Sequence, residues 1–111
     1  MHLKNFSLLK SRLGFQLCPA YDLVASELAI EGDDEGLALH LNGKKKKIKK
    51  ADFAAAMKIS SVDKKVIDNI FKKYHTLSTE WIKIIDQSFL TTELKVEYKE
   101  LIKKKLNQIE L

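Results

Sequence analysis

The sequence has one cysteine, one proline, one arginine and one tryptophan among its 111 residues. A lone Cys18 cannot form an intrachain disulfide and leaves no multi-cysteine metal site. That usage suits a reducing compartment, so a cytoplasmic location is expected. The breakers Gly14, Pro19, Gly32, Gly36 and Gly43 all lie in the first half of the chain, and residues 51–109 contain neither Gly nor Pro. Nothing there stops a helix. No uncharged apolar run approaches the roughly 18 residues that a membrane span needs. The first ten residues, MHLKNFSLLK, also lack the apolar stretch and small-residue cleavage site of a signal peptide.

Apolar side chains make up 45% of the chain, enough for a core in one domain over residues 1–111. Twenty basic against fifteen acidic residues give a net charge of +5. The balance is uneven. Residues 1–36 carry three bases and six acids, whereas 37–111 carry seventeen bases and nine acids. A basic second half suits an acidic partner, but lysine spread over helices is more often solvated surface.

The two halves also differ in periodicity. Residues 1–50 are turn-rich and β-like, and residues 51–111 are helical. Phe6-Ser7-Leu8-Leu9 and Phe15-Gln16-Leu17-Cys18 around Gly14 predict a hairpin of roughly 6–10 with 14–18. Residues 20–29 suit either an extended segment or one helical turn. Leu37-Ala38-Leu39-His40-Leu41 alternates strictly and runs into Asn42-Gly43, a type I′ turn signal, which predicts a second hairpin returning over 44–48. A short helix is expected over 51–59. A second should be capped at Ser60 or Ser61, with an apolar stripe from Val62 to Tyr74. A third over 80–90 should be capped at Ser78 or Thr79, and a last one opened by Thr91 or Thr92. The expected fold class is α+β, mostly α: two small β-hairpins on a helical bundle.

Asn5 precedes the first predicted hairpin and Asp22 follows it, so both fall at one end of it. Kinases hold divalent ions with an Asn of the catalytic loop and an Asp on the neighbouring loop, and hard cations take such oxygen donors. The alternative is an Asn in a turn and an Asp capping whatever follows residue 22.

His2-Leu3-Lys4-Asn5-Phe6-Ser7 resembles the catalytic-loop motif Asp-x-His-x-Lys-Asn-Phe-Ser of HipA-type serine/threonine kinases, the toxins of bacterial toxin–antitoxin pairs. Leu17-Cys18-Pro19-Ala20-Tyr21-Asp22-Leu23 is similar to the family segment that stands for the kinase metal-binding Asp motif. Leu39-His40-Leu41-Asn42-Gly43-Lys44-Lys45 with Asp52-Phe53, and Ser88-Phe89-Leu90, also look like the family pattern. The resemblance implies part of a kinase-like C-lobe, with Asn5 and Asp22 as magnesium ligands, Lys4 contacting phosphate and His2 structural. Magnesium and ATP are expected only in a complete kinase. A kinase catalytic loop sets its Asp base five positions before the metal-binding Asn, which falls immediately before Met1. Residues 1–111 also hold no Gly-rich loop and no strand Lys for phosphates. They therefore correspond to roughly the last third of such a kinase, and are expected to be inactive by themselves.

The expected partners are an upstream kinase segment or split partner and an antitoxin protein, with nucleic acid engaged only indirectly. Self-association is expected too, because residues 6–30 should leave uncovered apolar surface. The alternative function is a non-catalytic binding module for an antitoxin, a split-kinase partner or a DNA-bound complex. A third reading, a basic helical nucleic-acid binder, rests on the lysine run 44–50. That run lacks the interleaved aromatics that stack bases, and reads better as a solvated hairpin edge. His40 and His75 have no partners at metal-ligand spacing, and Trp81 sits at a core position of its helix.

Overall fold

The computed structural model describes residues 3–33 and 36–110. His2 and two members of the acidic loop, Asp34 and Glu35, lie outside the described residues. A 3-10 turn over Leu3–Asn5 leads into β1 (Leu8–Ser11) and β2 (Gly14–Leu17). A single helical turn, α1 (Ser26–Ala29), is followed by a long loop. Three helices complete the chain: α2 (Lys50–Ile59), α3 (Lys64–Gln87) and α4 (Thr92–Gln108). The chain is mostly helical with one two-stranded antiparallel sheet, the α+β class expected.

β1 and β2 pair with Leu8 opposite Leu17 and Ser11 opposite Gly14. Gly14 closes the turn at φ +109°, a backbone angle that a side chain disfavours. Backbone bonds carry the pairing beyond the strands, from Cys18 N–H to Ser7 O at 2.9 Å and from Tyr21 N–H to Asn5 O at 3.2 Å. Both faces of this hairpin are open. Leu8, Leu13, Phe15 and Leu17 are 66, 90, 71 and 68% exposed, and Leu23 and Val24 continue the surface. A lone two-stranded hairpin is marginal in water. Of the two conformations considered for residues 20–29, one helical turn forms at Ser26–Ala29, while 20–25 are irregular with Asp22 in the left-handed region.

The second predicted hairpin does not form. Asn42 and Gly43 do adopt the left-handed turn, at φ +49° and +74°, but only Leu41 and Lys44 pair across it. The turn is instead drawn onto α2. Asp52 accepts from Asn42 Nδ2 at 2.8 Å, from Lys44 Nζ at 2.9 Å and from Lys49 N–H at 2.9 Å. The return segment then bends away, with Lys47 at φ +52° and Ile48 driven into the core at 3% exposure. The pairing that was expected would have set Leu39 against a lysine, giving a half-apolar face with little to bury.

α2 ends in a Schellman motif. Val62 N–H reaches Met57 O and Ser61 N–H reaches Lys58 O, both at 3.0 Å, with Ser61 at φ +59°. Ser60 and Ser61 thus close α2, and Asp63 stands at the start of α3. The expected break at Ser78 and Thr79 is also absent. Ser78 Oγ donates to His75 O at 2.6 Å and Thr79 Oγ1 to Thr76 O at 3.3 Å, so both hydroxyls bond back into the helix. The apolar stripe stays in phase through them, with Ile67, Phe71 and Ile85 all buried on one side of a 24-residue helix. Thr91 caps α4 as expected, its Oγ1 accepting from Leu94 N–H.

The core is small. Ile48, Ile67, Phe71 and Ile85 are its buried apolar residues, and α3 packs on α4 and α2 while α1 touches α4. Among the described residues no helix is long and apolar enough to cross a membrane.

Candidate metal and nucleotide site

The 3-10 turn and the base of the hairpin bring Asn5 to the segment that leaves β2. Asn5 is 6% exposed, one of two buried polar residues in the chain as described. Its Nδ2 donates to Tyr21 O at 2.7 Å and to Asp22 O at 2.8 Å. Tyr21 N–H returns a bond to Asn5 O. Side chain and main chain of one residue therefore hold both ends of a 16-residue excursion together. The two donations also orient the carboxamide, because only its nitrogen can donate. Its oxygen, Oδ1, is the atom a hard cation would take.

Asp22 lies in the left-handed region at φ +53° and is solvent-exposed. That backbone costs a non-glycine residue roughly 1–2 kcal/mol, and such strain concentrates at functional sites. Lys4 is exposed beside Asn5. Asn5 and Asp22 are thus brought together through the Asn5 side chain, and Lys4 adjoins them along the chain.

Among the described residues no group of three or more His, Cys, Asp or Glu could hold a metal ion. A protein-only metal cage is not what these residues build. One amide oxygen and one carboxylate match the sparse oxygen set of magnesium, which keeps waters and substrate phosphates in its shell. The donor chemistry therefore fits that ion.

A family model for the HipA-like C-terminal domain matches residues 1–81. The chain belongs to this family. The match takes in Lys4, Asn5, Asp22, the Asn42-Gly43 turn, Asp52 and most of α3, and stops short of α4. A search of curated proteins returned no match.

Two features of this HipA-like domain escaped the sequence. Asp52 is 4% exposed, and its carboxyl is held at about 2, below the usual 3.8. The chief cause is the Lys49 N–H bond, followed by the bonds from Lys44 and Asn42. The signal for it was the spacing of an acid three residues into a helix, half of a capping box. The second feature is a cleft of about 390 Å3 walled by Tyr74 and Trp81 of α3, Tyr98 and Leu101 of α4, and Val24 and Glu27. The Tyr74 and Trp81 rings lie 5.8 Å apart, tilted at 53°. Lys105 bonds to Glu27 at one side of it. None of Lys4, Asn5 and Asp22 lines this cleft.

Proposed function

We propose that this HipA-like C-terminal domain is the metal-binding end of a serine/threonine protein kinase of the toxin–antitoxin kind. The observation that carries the proposal is the clasp between the Asn5 amide and the backbone of Tyr21 and Asp22. It supports reading the two motif residues as parts of one site. Asn5 Oδ1 and the Asp22 carboxylate would hold magnesium, and Lys4 would meet a phosphate. When bound, the ion with ATP supplies charge neutralisation and the group to be transferred.

The roles of the chain's own residues follow. Nδ2 of Asn5 donates to two carbonyls, which fixes the plane of the amide, and Oδ1 is the atom that would ligate the cation. Asp22 brings the negative charge, and its left-handed backbone turns the chain sharply beside the Asn5 clasp. Lys4 contributes a compact positive charge next to Asn5. The base that accepts the hydroxyl proton, the Gly-rich loop and the strand Lys are not among residues 1–111. A polypeptide of these residues alone is therefore proposed to be inactive, and a segment ending in the catalytic Asp is proposed to complete it. The exposed apolar hairpin supports such a docking event.

The same hairpin supports the second reading, a non-catalytic module that docks an antitoxin or a split-kinase partner through that surface. Reconstitution separates the two. Residues 1–111 mixed with, or fused to, a matching upstream segment should transfer radiolabel from ATP to a protein serine. Asp22→Asn should abolish transfer, and full activity of that variant would overturn the ligand assignment. Binding of the upstream segment without any transfer favours the second reading.

A further inference from the structure

α3 carries a second apolar row beside its buried residues Ile67, Phe71 and Ile85. Ile70, Tyr74, Leu77, Trp81 and Ile84 follow one another at steps of four, three, four and three residues. This 3.5-residue average keeps one seam facing a partner helix, as in a coiled coil. Val66 extends the row by one turn. Val66, Tyr74 and Ile84 are 46, 49 and 63% exposed, and Ile70, Leu77 and Trp81 are half-buried. Among the described residues α3 packs on α4 and α2, and Tyr74 and Trp81 also wall the cleft towards α4, while Val66, Tyr74 and Ile84 stay largely open to solvent.

The charges along its edge say what suits it. Lys73 immediately precedes Tyr74, and Glu80 immediately precedes Trp81, so they occupy equivalent positions one heptad apart on the same edge. They are opposite in sign. In an antiparallel pair of such helices, equivalent edge positions meet each other. A second copy crossing between Thr76 and Leu77 sets Lys73 beside Glu80 of the second copy, and two-fold symmetry repeats the pair. The same crossing gathers Leu77 at the centre and brings Ile70 towards Trp81 and Ile84 of the second copy. A parallel pair in register offers no such match, since the residues five positions on from Lys73 and Glu80 are Ser78 and Ile85. Glu80 is bonded within its own chain to Lys83 at 2.9 Å, but both side chains are more than half exposed. Such a surface pair is weak enough to be exchanged.

We propose that two copies of this domain associate through an antiparallel α3–α3 pair with its two-fold axis near Leu77. Both copies present the same patch, which makes the contact isologous and closed at two. The cleft towards α4, which Tyr74 and Trp81 of the row help to wall, is open to side chains of the second copy. This pairing is independent of the kinase reading, because it uses neither Asn5 nor Asp22.

The test is sedimentation equilibrium of the chain from low to high micromolar concentration, with circular dichroism to check helicity of each variant. A monomer–dimer equilibrium with no larger species is expected. Leu77→Glu should leave only monomer. Lys73→Glu should raise the dissociation constant about tenfold, and Lys73→Glu combined with Glu80→Lys should restore it. A wild-type chain that stays monomeric throughout overturns the proposal. So does a dimer indifferent to Lys73→Glu, or one lost in Phe15→Glu and retained in Leu77→Glu, which would place the contact on the hairpin.

Discussion

Replacing Asn5 separates its two roles, because aspartate ligates magnesium as well as asparagine does and yet cannot donate a hydrogen bond. Asn5 Nδ2 makes bonds of 2.7 and 2.8 Å to the Tyr21 and Asp22 carbonyls, in a side chain 6% exposed. A buried hydrogen bond contributes about 0.5–1.5 kcal/mol net, so Asn5→Ala should destabilise the clasp by about 1–3 kcal/mol. Asn5→Asp should cost more, since it sets a carboxylate oxygen against two carbonyl oxygens in place of the donor. The hairpin makes few contacts with the helices, and its opening is therefore local rather than global. Amide hydrogen exchange at Tyr21, whose N–H bonds to Asn5 O, is the direct readout. At about 1.4 kcal/mol per tenfold, protection of Tyr21 should fall about 5- to 150-fold in Asn5→Ala. It should fall further in Asn5→Asp, while amides of α3 keep theirs. Unchanged Tyr21 protection in both variants would refute the clasp. Loss of protection only in Asn5→Asp would mean that charge, not donation, governs the position.

Three further outcomes follow from the packing. Ile85→Ala removes one of the few buried apolar side chains and should lower stability by about 2–5 kcal/mol in urea denaturation; Ile70→Ala, at a half-buried site, should lose less. Ser61→Gly should stabilise the chain by about 0.5–1 kcal/mol, because relief of the left-handed strain of about 1–2 kcal/mol outweighs the extra chain entropy of glycine; an unchanged melting temperature would count against the Schellman geometry. Asp52 titrates at about 2 in the folded chain against 3.8 unfolded, so its contribution is complete above pH 3.8 and is lost as pH falls towards 2. Asp52→Asn should flatten the acid limb of the stability profile in that window, as followed by circular dichroism.

The sequence by itself determined the helical second half, the first hairpin and the family. Those follow from short-range patterns: apolar spacing, the absence of Gly and Pro beyond residue 50, and two contiguous motifs. It also placed Asn5 and Asp22 at one end of a hairpin, since the hairpin's length alone fixes that. Boundaries that depended on competing hydroxyl bonds were not legible. Ser78 and Thr79 carry the same capping chemistry whether they start a helix or bond back inside one, and only the continuous stripe from Ile67 to Ile85 decided between them. The Asn42-Gly43 turn was read correctly in its dihedral angles and wrongly in its consequence. Asp52, ten residues away from Asn42 and on another element, holds the turn, and only Leu41 and Lys44 pair across it. Tertiary structure alone made Asn5 a donor to the chain beyond β2, and alone gathered Tyr74, Trp81 and Tyr98 around one cleft. These are contacts between residues far apart along the chain. Local propensity carries no information about them, because it acts over a few residues and burial acts across the whole fold.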